Sequence, residues 1–285
     1  MQKYKTDWYL YYLINVTLII LVSFPIYWAF VSSIKPPDEL ITNTPTLFPI
    51  NPTFESYERI WNLEPTSSRG NVRSAFTNSA IVSIGTVVVS AVISTLAAYA
   101  LTILRTPFRH FIFLLIIMPI LIPGISLLIP LYKLVKELGL MNSYLGLILI
   151  HSTGMLTLGV FLMRNAFMSI PTSLREVALL EGSSELRIMF TVMLPLAIPG
   201  LLTLMVFALY GSWNDFILAF LFVNTIDMEM LNVFLMKLTF AGSQFDTFWG
   251  LLNAGAIISF VPIIIFYIFL QQYFVRGVTG SAVKE

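Results

Sequence analysis

An all-α, polytopic membrane bundle of six transmembrane helices is the fold this sequence predicts, and three observations predict it. Hydrophobic residues make up 57% of the 285 and charged residues 11%, with a mean hydropathy of +0.85; a soluble domain has about a quarter of its residues charged. Six apolar stretches, separated by short polar or proline-rich segments, are each long enough to cross about 30 Å of hydrocarbon. A charged interruption over residues 171–195 carries helix-start and helix-stop signals of its own. The chain therefore reads as one membrane domain, 1–285, with a surface loop, 165–195, inside it. A net charge of +1 argues against nucleic-acid binding, which needs a basic face. The absence of cysteine excludes a disulfide framework and a thiolate metal site.

The first span covers residues 8–31 and is entered from Lys3 and Lys5. It is too long for a signal-peptide core, so it reads as an uncleaved anchor with a cytoplasmic N-terminus. Residues 32–74 are polar and rich in proline, and the segment N-P-T-F-E-S-Y-E-R-I-W predicts a loop followed by a short surface helix. The second span, 76–104, places Ser79, Ser83, Thr86, Ser90 and Ser94 on one helical face. That stripe suits close packing through small side chains, or part of a polar pathway.

Arg105 and Arg109 mark the next turn. The third span, 111–132, holds Pro119, Pro123, Gly124 and Pro130, which predict a kinked or broken helix. Carbonyls freed at membrane depth must be buried or face water, which points this span to a bundle interior. The fourth span, 144–163, contains His151, a packing residue or a pore-lining one.

In the charged loop, Ser173 and Glu176 have capping-box spacing, so a helix should run through Leu180 and stop at Gly182. Ser183 or Ser184 can cap a second helix that ends before Pro195. The fifth span, 196–223, carries Trp213-Asn214-Asp215-Phe216, and an Asp inside an apolar helix is a functional candidate unless it merely caps or pairs near the span's end. Residues 224–247 read as an outer loop, and the last span, 248–275, contains Pro262.

Glu176-Val177-Ala178, three residues, Gly182, nine residues, then Val192-x-Leu194-Pro195 resembles the EAA motif of bacterial ABC-importer permeases, with valine at two positions. W-N-D-F and the ending Q-Q-Y-F-V-R-G-V-T-G-S-A-V-K-E resemble the carbohydrate-importer branch, the smaller permease of maltose-type systems. The resemblance implies a coupling helix that docks an ATPase subunit through Glu176, Ala178, Gly182, Leu194 and Pro195. It also implies a second, homologous permease, a pair of cytoplasmic ATPase subunits holding ATP and magnesium, and an extracytoplasmic solute-binding protein that meets residues 224–247. The C-terminal tail is expected near the ATPase pair. A carbohydrate pathway lined by Ser126, His151, Tyr210, Trp213, Asn214 and Asp215 is the expectation for the bundle centre, and no cofactor is expected on this chain.

Six spans put both termini on one side of the bacterial inner membrane. That side carries Lys3, Lys5, Arg105, Arg109, Arg164, Arg175, Arg187, Arg276 and Lys284. The short loops opposite carry Lys133, Lys136 and Lys237, and Lys35, Arg59, Arg69 and Arg73 fall in the long first loop, where charge bias has less force. The termini and the charged loop are thus expected in the cytoplasm. No Gly-Lys dipeptide and no G-x-G occurs, so neither phosphate-binding motif is present. An ion-coupled secondary transporter and a non-transporting scaffold subunit are the alternatives.

Overall fold

The computed structural model describes residues 2–42, 44–66, 68–104, 106–240 and 245–279. Arg105, residues 241–244 of the predicted outer loop and the end of the C-terminal tail with Lys284 lie outside them. The chain divides into two compact units, residues 1–73 with 234–261, and residues 74–233 with 262–285. Among the described residues, four helices are long and apolar enough to cross a membrane, and two bent helix pairs raise the number to six if each pair is one span.

The first unit opens with α1 (Gln2–Ser33), followed by α2 (Pro37–Leu40) and α3 (Glu55–Trp61). Residues 234–240 of α13 (Leu231–Phe240) and 245–261 of α14 (Phe245–Thr279) contribute the rest of it. Its core is Val31, Ile60, Phe234, Leu238, Leu251 and Ala254. Glycines let α14 approach its neighbours: a Cβ at Gly250 would meet the Ser56 hydroxyl, and one at Gly255 would meet Leu235 and Ile60. The predicted outer loop is therefore corrected. Asp227, Glu229 and Lys237 make the segment read as an outer loop, but residues 231–240 form an apolar helix with Leu231, Val233, Phe234 and Leu238 buried.

The second unit is built on α4 (Val72–Thr102), α7 (Tyr144–Met168) and α11 (Ile198–Trp213). α4 and α7 run parallel. A Cβ at Gly85 would strike Ile148, and one at Gly159 would strike Ser94, so position rises together along both helices. Ser83, Thr86, Ser90 and Ser94 are all buried, so the small-residue stripe is a packing face. α11 runs antiparallel to α7, with Gly200 against Ala166 and Gly211 near Met155.

Because α4 and α7 are parallel, the chain must return between them, and a bent pair makes that return. α5 (Arg109–Ile117) and α6 (Leu128–Glu137), with 3₁₀ turns at Met118–Leu121 and Gly124–Leu127, meet at 97°. The break falls at Pro119 and Pro123, as the sequence predicts, because each proline removes a ladder donor. The carbonyl of Ile116 accepts the Thr157 hydroxyl of α7 at 2.8 Å. The expected burial of this span is corrected: Met118, Ile120, Leu121 and Ile125 are exposed on the single chain. The turns are compatible with that exposure because their own 3₁₀ bonds, such as Ile122 N–H to Pro119 O at 3.0 Å, absorb part of the lost ladder.

Two core clusters mark the two ends of this helix frame. At the end where α4 and α7 finish and α11 begins, Ala98, Tyr99, Val160, Met163, Phe167 and Leu204 pack together. At the other end, Val82, Leu147, Ala219, Phe222 and Met230 do so.

Candidate functional site

The charged loop sits on the first of these clusters. α8 (Thr172–Leu180) is followed by α9 (Glu185–Ile188), a π turn (Met189–Met193) and α10 (Leu194–Leu196). α8 ends as the glycine predicts. Gly182 has φ +80, its N–H donates to Leu179 O at 3.0 Å, and Ser183 N–H donates to Ala178 O at 3.1 Å. This pair of bonds satisfies carbonyls at the helix end and needs a left-handed residue. The predicted capping box is corrected: Pro171 is the N-cap, and Ser173 lies inside the helix. Pro171 starts the helix because the first turn asks nothing of its missing N–H and α8 gains its first bond at Leu174 N–H. The second helix also passes Pro195 instead of ending before it. Pro195 falls in the first turn of α10, where a donor is dispensable, just after the widened π turn.

One side of this helix–turn–helix is held down and the other is free. Ala178, Ile188, Met189 and Met193 are buried in the cluster with Phe167 and Tyr99. The Arg175 guanidinium pairs with both carboxylate oxygens of Glu185 through Nε and Nη2, joining α8 to α9. Tyr99 Oη, from α4, donates to Glu185 Oε2 at 2.9 Å. Its ring meets Phe167 edge-on at 5.6 Å. Glu176 and Gly182 are exposed, and with them Leu174, Val177, Leu179 and Leu180, the last at 88%. Leu194 is half-buried and Pro195 exposed. The free side is therefore an exposed apolar helix face on an otherwise anchored loop.

The expected pathway residues separate into three groups. At the far end of the frame, His151 Nε2 stands 3.8 Å from Asp215 Oδ2, both side chains largely buried. His151 lies 17 residues before the end of α7, which places it about 26 Å from the end that carries the charged loop, at 1.5 Å per residue. Asp215 is not inside a helix. α11 stops at Trp213, and the Asp215 carboxylate accepts the N–H groups of Ala219 at 2.9 Å and Leu218 at 3.4 Å, capping α12 (Ile217–Phe222). The predicted continuous fifth span is thereby corrected to a helix, a three-residue break and a short second helix. Apolar residues resume directly after Asn214 and Asp215, so averaged hydropathy reads the two helices as one span.

Trp213 is buried against Phe76, with ring centroids 5.4 Å apart. Its carbonyl and that of Asp215 accept Asn232 Nδ2 at 3.0 and 3.3 Å. Asn214 is exposed, its amide turned back to Tyr210 O at 3.0 Å. Tyr210 is exposed beside a groove of about 390 Å³ that also involves Phe207, Ile263 and Tyr267. Ser126 is exposed in the turn between α5 and α6, apart from the others.

Sequence reasoning passed over Tyr99 and Asn78. Asn78, buried on α4, donates to the carbonyls of Asp227 and Glu229, both at 2.9 Å, and accepts the Tyr144 hydroxyl at 2.7 Å. A lone amide in an apolar span was the available signal, since such a group must find partners.

The chain is thus a membrane-type helical frame with an anchored helix–turn–helix projecting from one end. The model of the family described as "binding-protein-dependent transport system inner membrane component" matches residues 90–280, and the chain belongs to that family. It is 32% identical over 287 residues, with all of both chains covered, to a probable starch degradation products transport system permease protein, AmyC, of Thermoanaerobacterium thermosulfurigenes. It is 33% identical to the arabinooligosaccharides transport system permease protein AraQ of Halalkalibacterium halodurans, over 92% of this chain and 91% of that one. Among solved structures, a chain of a bacterial ABC transporter involved in the import of the acidic polysaccharide alginate has the same fold. The TM-score is 0.84 at 24% identity, covering 96% of this chain and 98% of that one. Membership places the chain in binding-protein-dependent transport, not in ion-coupled secondary transport.

Proposed function

We propose that this chain is the membrane-spanning permease of an ATP-driven importer of a sugar or oligosaccharide. It forms half of the translocation pathway with a second, homologous permease. Cytoplasmic ATPase subunits, which bind ATP and magnesium, engage the α8–Gly182 turn, and an extracytoplasmic binding protein delivers the carbohydrate. The observation that carries this reading is the anchored loop: Arg175, Glu185 and Tyr99 tie it to α4, while Glu176, Leu180 and Gly182 stay exposed. A movement imposed on α8 therefore passes to α4 and α7 as a rigid-body displacement. The names of the relatives, which handle starch products and arabinooligosaccharides, favour carbohydrate as the solute.

Charge favours a cytoplasmic position for this end. Arg109, Arg164, Arg175 and Arg187 gather near it, and α6 places Lys133 and Lys136 at the other. The termini follow to the cytoplasm if each bent pair is one span. In the pathway, Ser126, Tyr210 and Asn214 are the groups positioned to meet solute, with His151, Trp213 and Asp215 shaping the break behind them.

Co-purification tests the reading. Wild-type chain expressed with its native partners should carry ATPase activity that the binding protein and the correct carbohydrate stimulate. Gly182→Pro should insert normally and lose that activity, because proline cannot adopt a positive φ. Wild-type chain purified with its partners and devoid of ATPase would refute it.

A further inference from the structure

The loop after α1 turns its polar groups inward and its apolar groups outward. Lys35, 2% exposed, donates from Nζ to Thr46 O at 2.5 Å and stands 4.9 Å over the Trp28 ring. The buried Glu39 carboxylate accepts the Thr46 hydroxyl at 2.8 Å and the Ile50 N–H at 3.0 Å. Thr53 N–H closes the loop on Ile34 O at 2.8 Å. Residues 41–54 contain no Asp, Glu, Lys or Arg. Within them Phe48, Ile50 and Phe54 are 71%, 70% and 69% exposed, and Leu47 is exposed beside them.

The loop also doubles back along α1. Tyr27 Oη donates to Leu47 O at 2.7 Å, and the Tyr27 and Phe48 rings meet edge-on at 6.2 Å. Tyr27 belongs to the apolar span Trp8–Ser33 and lies six residues before its end, about 9 Å down the helix axis. Phe48 is therefore held on the flank of α1 beside the apolar span, short of that span's end. Phe24 and Ile26 are exposed on the same stretch of α1, so the patch continues a membrane-facing surface.

We propose that Leu47, Phe48, Ile50 and Phe54 form an interfacial anchor that inserts into the bilayer leaflet around the C-terminal end of α1. A water-soluble partner approaches along the membrane normal and would meet the top of the loop, not a flank beside Tyr27. The uncharged patch with Tyr27 and Trp28 beneath it has the composition of the aromatic belt at a lipid headgroup boundary. The Lys35–Thr46–Glu39 hub fixes the loop in advance, so insertion costs little ordering entropy.

The chain has no cysteine, so single labels can be placed by Phe48→Cys and, as a water-exposed reference on α3, Glu58→Cys. Each is labelled with an environment-sensitive fluorophore in the assembled transporter, its other subunits free of reactive cysteine, in phosphatidylcholine liposomes. The label at position 48 should be quenched severalfold more by shallow spin-labelled lipid than the reference, and severalfold less by aqueous iodide. Equal iodide access at the two positions overturns the anchor. Shielding of position 48 from both quenchers also overturns it and assigns the patch to a neighbouring protein subunit. If Phe48→Cys does not assemble, Ile50→Cys takes its place with the same expectations.

Discussion

Tyr99 Oη donates to Glu185 Oε2 at 2.9 Å, and the same carboxylate is held by Arg175. One hydroxyl from the end of α4 thus fastens both helices of the projecting loop to the membrane frame. Tyr99→Phe removes that bond and keeps the ring packed on Phe167. A hydrogen bond to a charged group contributes about 1.5–3 kcal/mol, the lower end applying where the carboxylate is partly solvated as here. The expected outcome is a modest loss of thermal stability in detergent with a larger loss of solute-stimulated ATP hydrolysis. Combining it with Glu185→Ala should add little to Glu185→Ala alone, since both changes break one network.

Gly182→Ala is a milder test of the turn than proline. The Cβ meets nothing within 4 Å, so its effect comes from φ +80 alone. A left-handed non-glycine residue costs about 1–2 kcal/mol. The variant should fold, assemble with the ATPase less tightly than wild type, and show an intermediate phenotype in pull-down titrations against purified ATPase. Unchanged affinity would remove the turn geometry from the docking surface.

Gly159 tests the α4–α7 contact. A Cβ there would strike Ser94 Oγ and approach Leu204 Cδ1 at 3.0 Å. Gly159→Leu overpacks a site with no free volume, at a cost of about 1–3 kcal/mol or more. Gly154→Leu, on the same helix with nothing within 4 Å of its Cβ, is the control and should be close to neutral. Thermal unfolding of the two variants should separate them clearly.

Asp215 has two structural duties that substitution can split. Asp215→Asn keeps an oxygen for the Ala219 N–H and loses the charge facing His151. Asp215→Ala loses the cap as well, which costs about 1 kcal/mol more. The expected order of stability is wild type, Asn, Ala. Transport by Asp215→Asn then reports on the charge with the break still capped; wild-type uptake in that variant would leave Asp215 a purely structural residue.

The parts legible in the sequence were those with a local physical cause. Pro119 and Pro123 fall mid-span, each removing a donor from the ladder where the helix breaks, and Gly182 ends a helix because only a left-handed residue closes that turn. Long-range contacts were not legible: Tyr99 and Glu185 are 86 positions apart, and nothing near either names the other. The helix at 231–240 is hidden in the sequence because Asp227, Glu229 and Lys237 give the segment a polar look that its buried apolar face does not share. Ser173 misled because a capping-box spacing exists at many places where backbone geometry selects another N-cap, here Pro171. At Asp215 the apolar run resumes at once with Phe216–Phe222, so Asn214 and Asp215 read as two polar residues inside one span, and the break shows only in the carboxylate's capping bonds.

Glu39 makes the loop after α1 pH-sensitive. Burial pushes its carboxyl up, but the Thr46 hydroxyl, the Ile50 and Asn51 amides and the Lys35 ammonium together outweigh that, so it ionises below its ordinary value of 4.5. A group whose pKa is lower in the folded state adds stability above the unfolded value and loses it as pH falls through the folded value. The loop should therefore hold at neutral pH and loosen only as pH drops below 4.5. Hydrogen exchange at the Ile50 amide, measured against pH and corrected for intrinsic rates, should show protection falling in that window. Glu39→Gln, which cannot carry the charge, should start less protected at neutral pH and show no such step. A wild-type protection profile that stays flat through the window would remove the carboxylate from the hub.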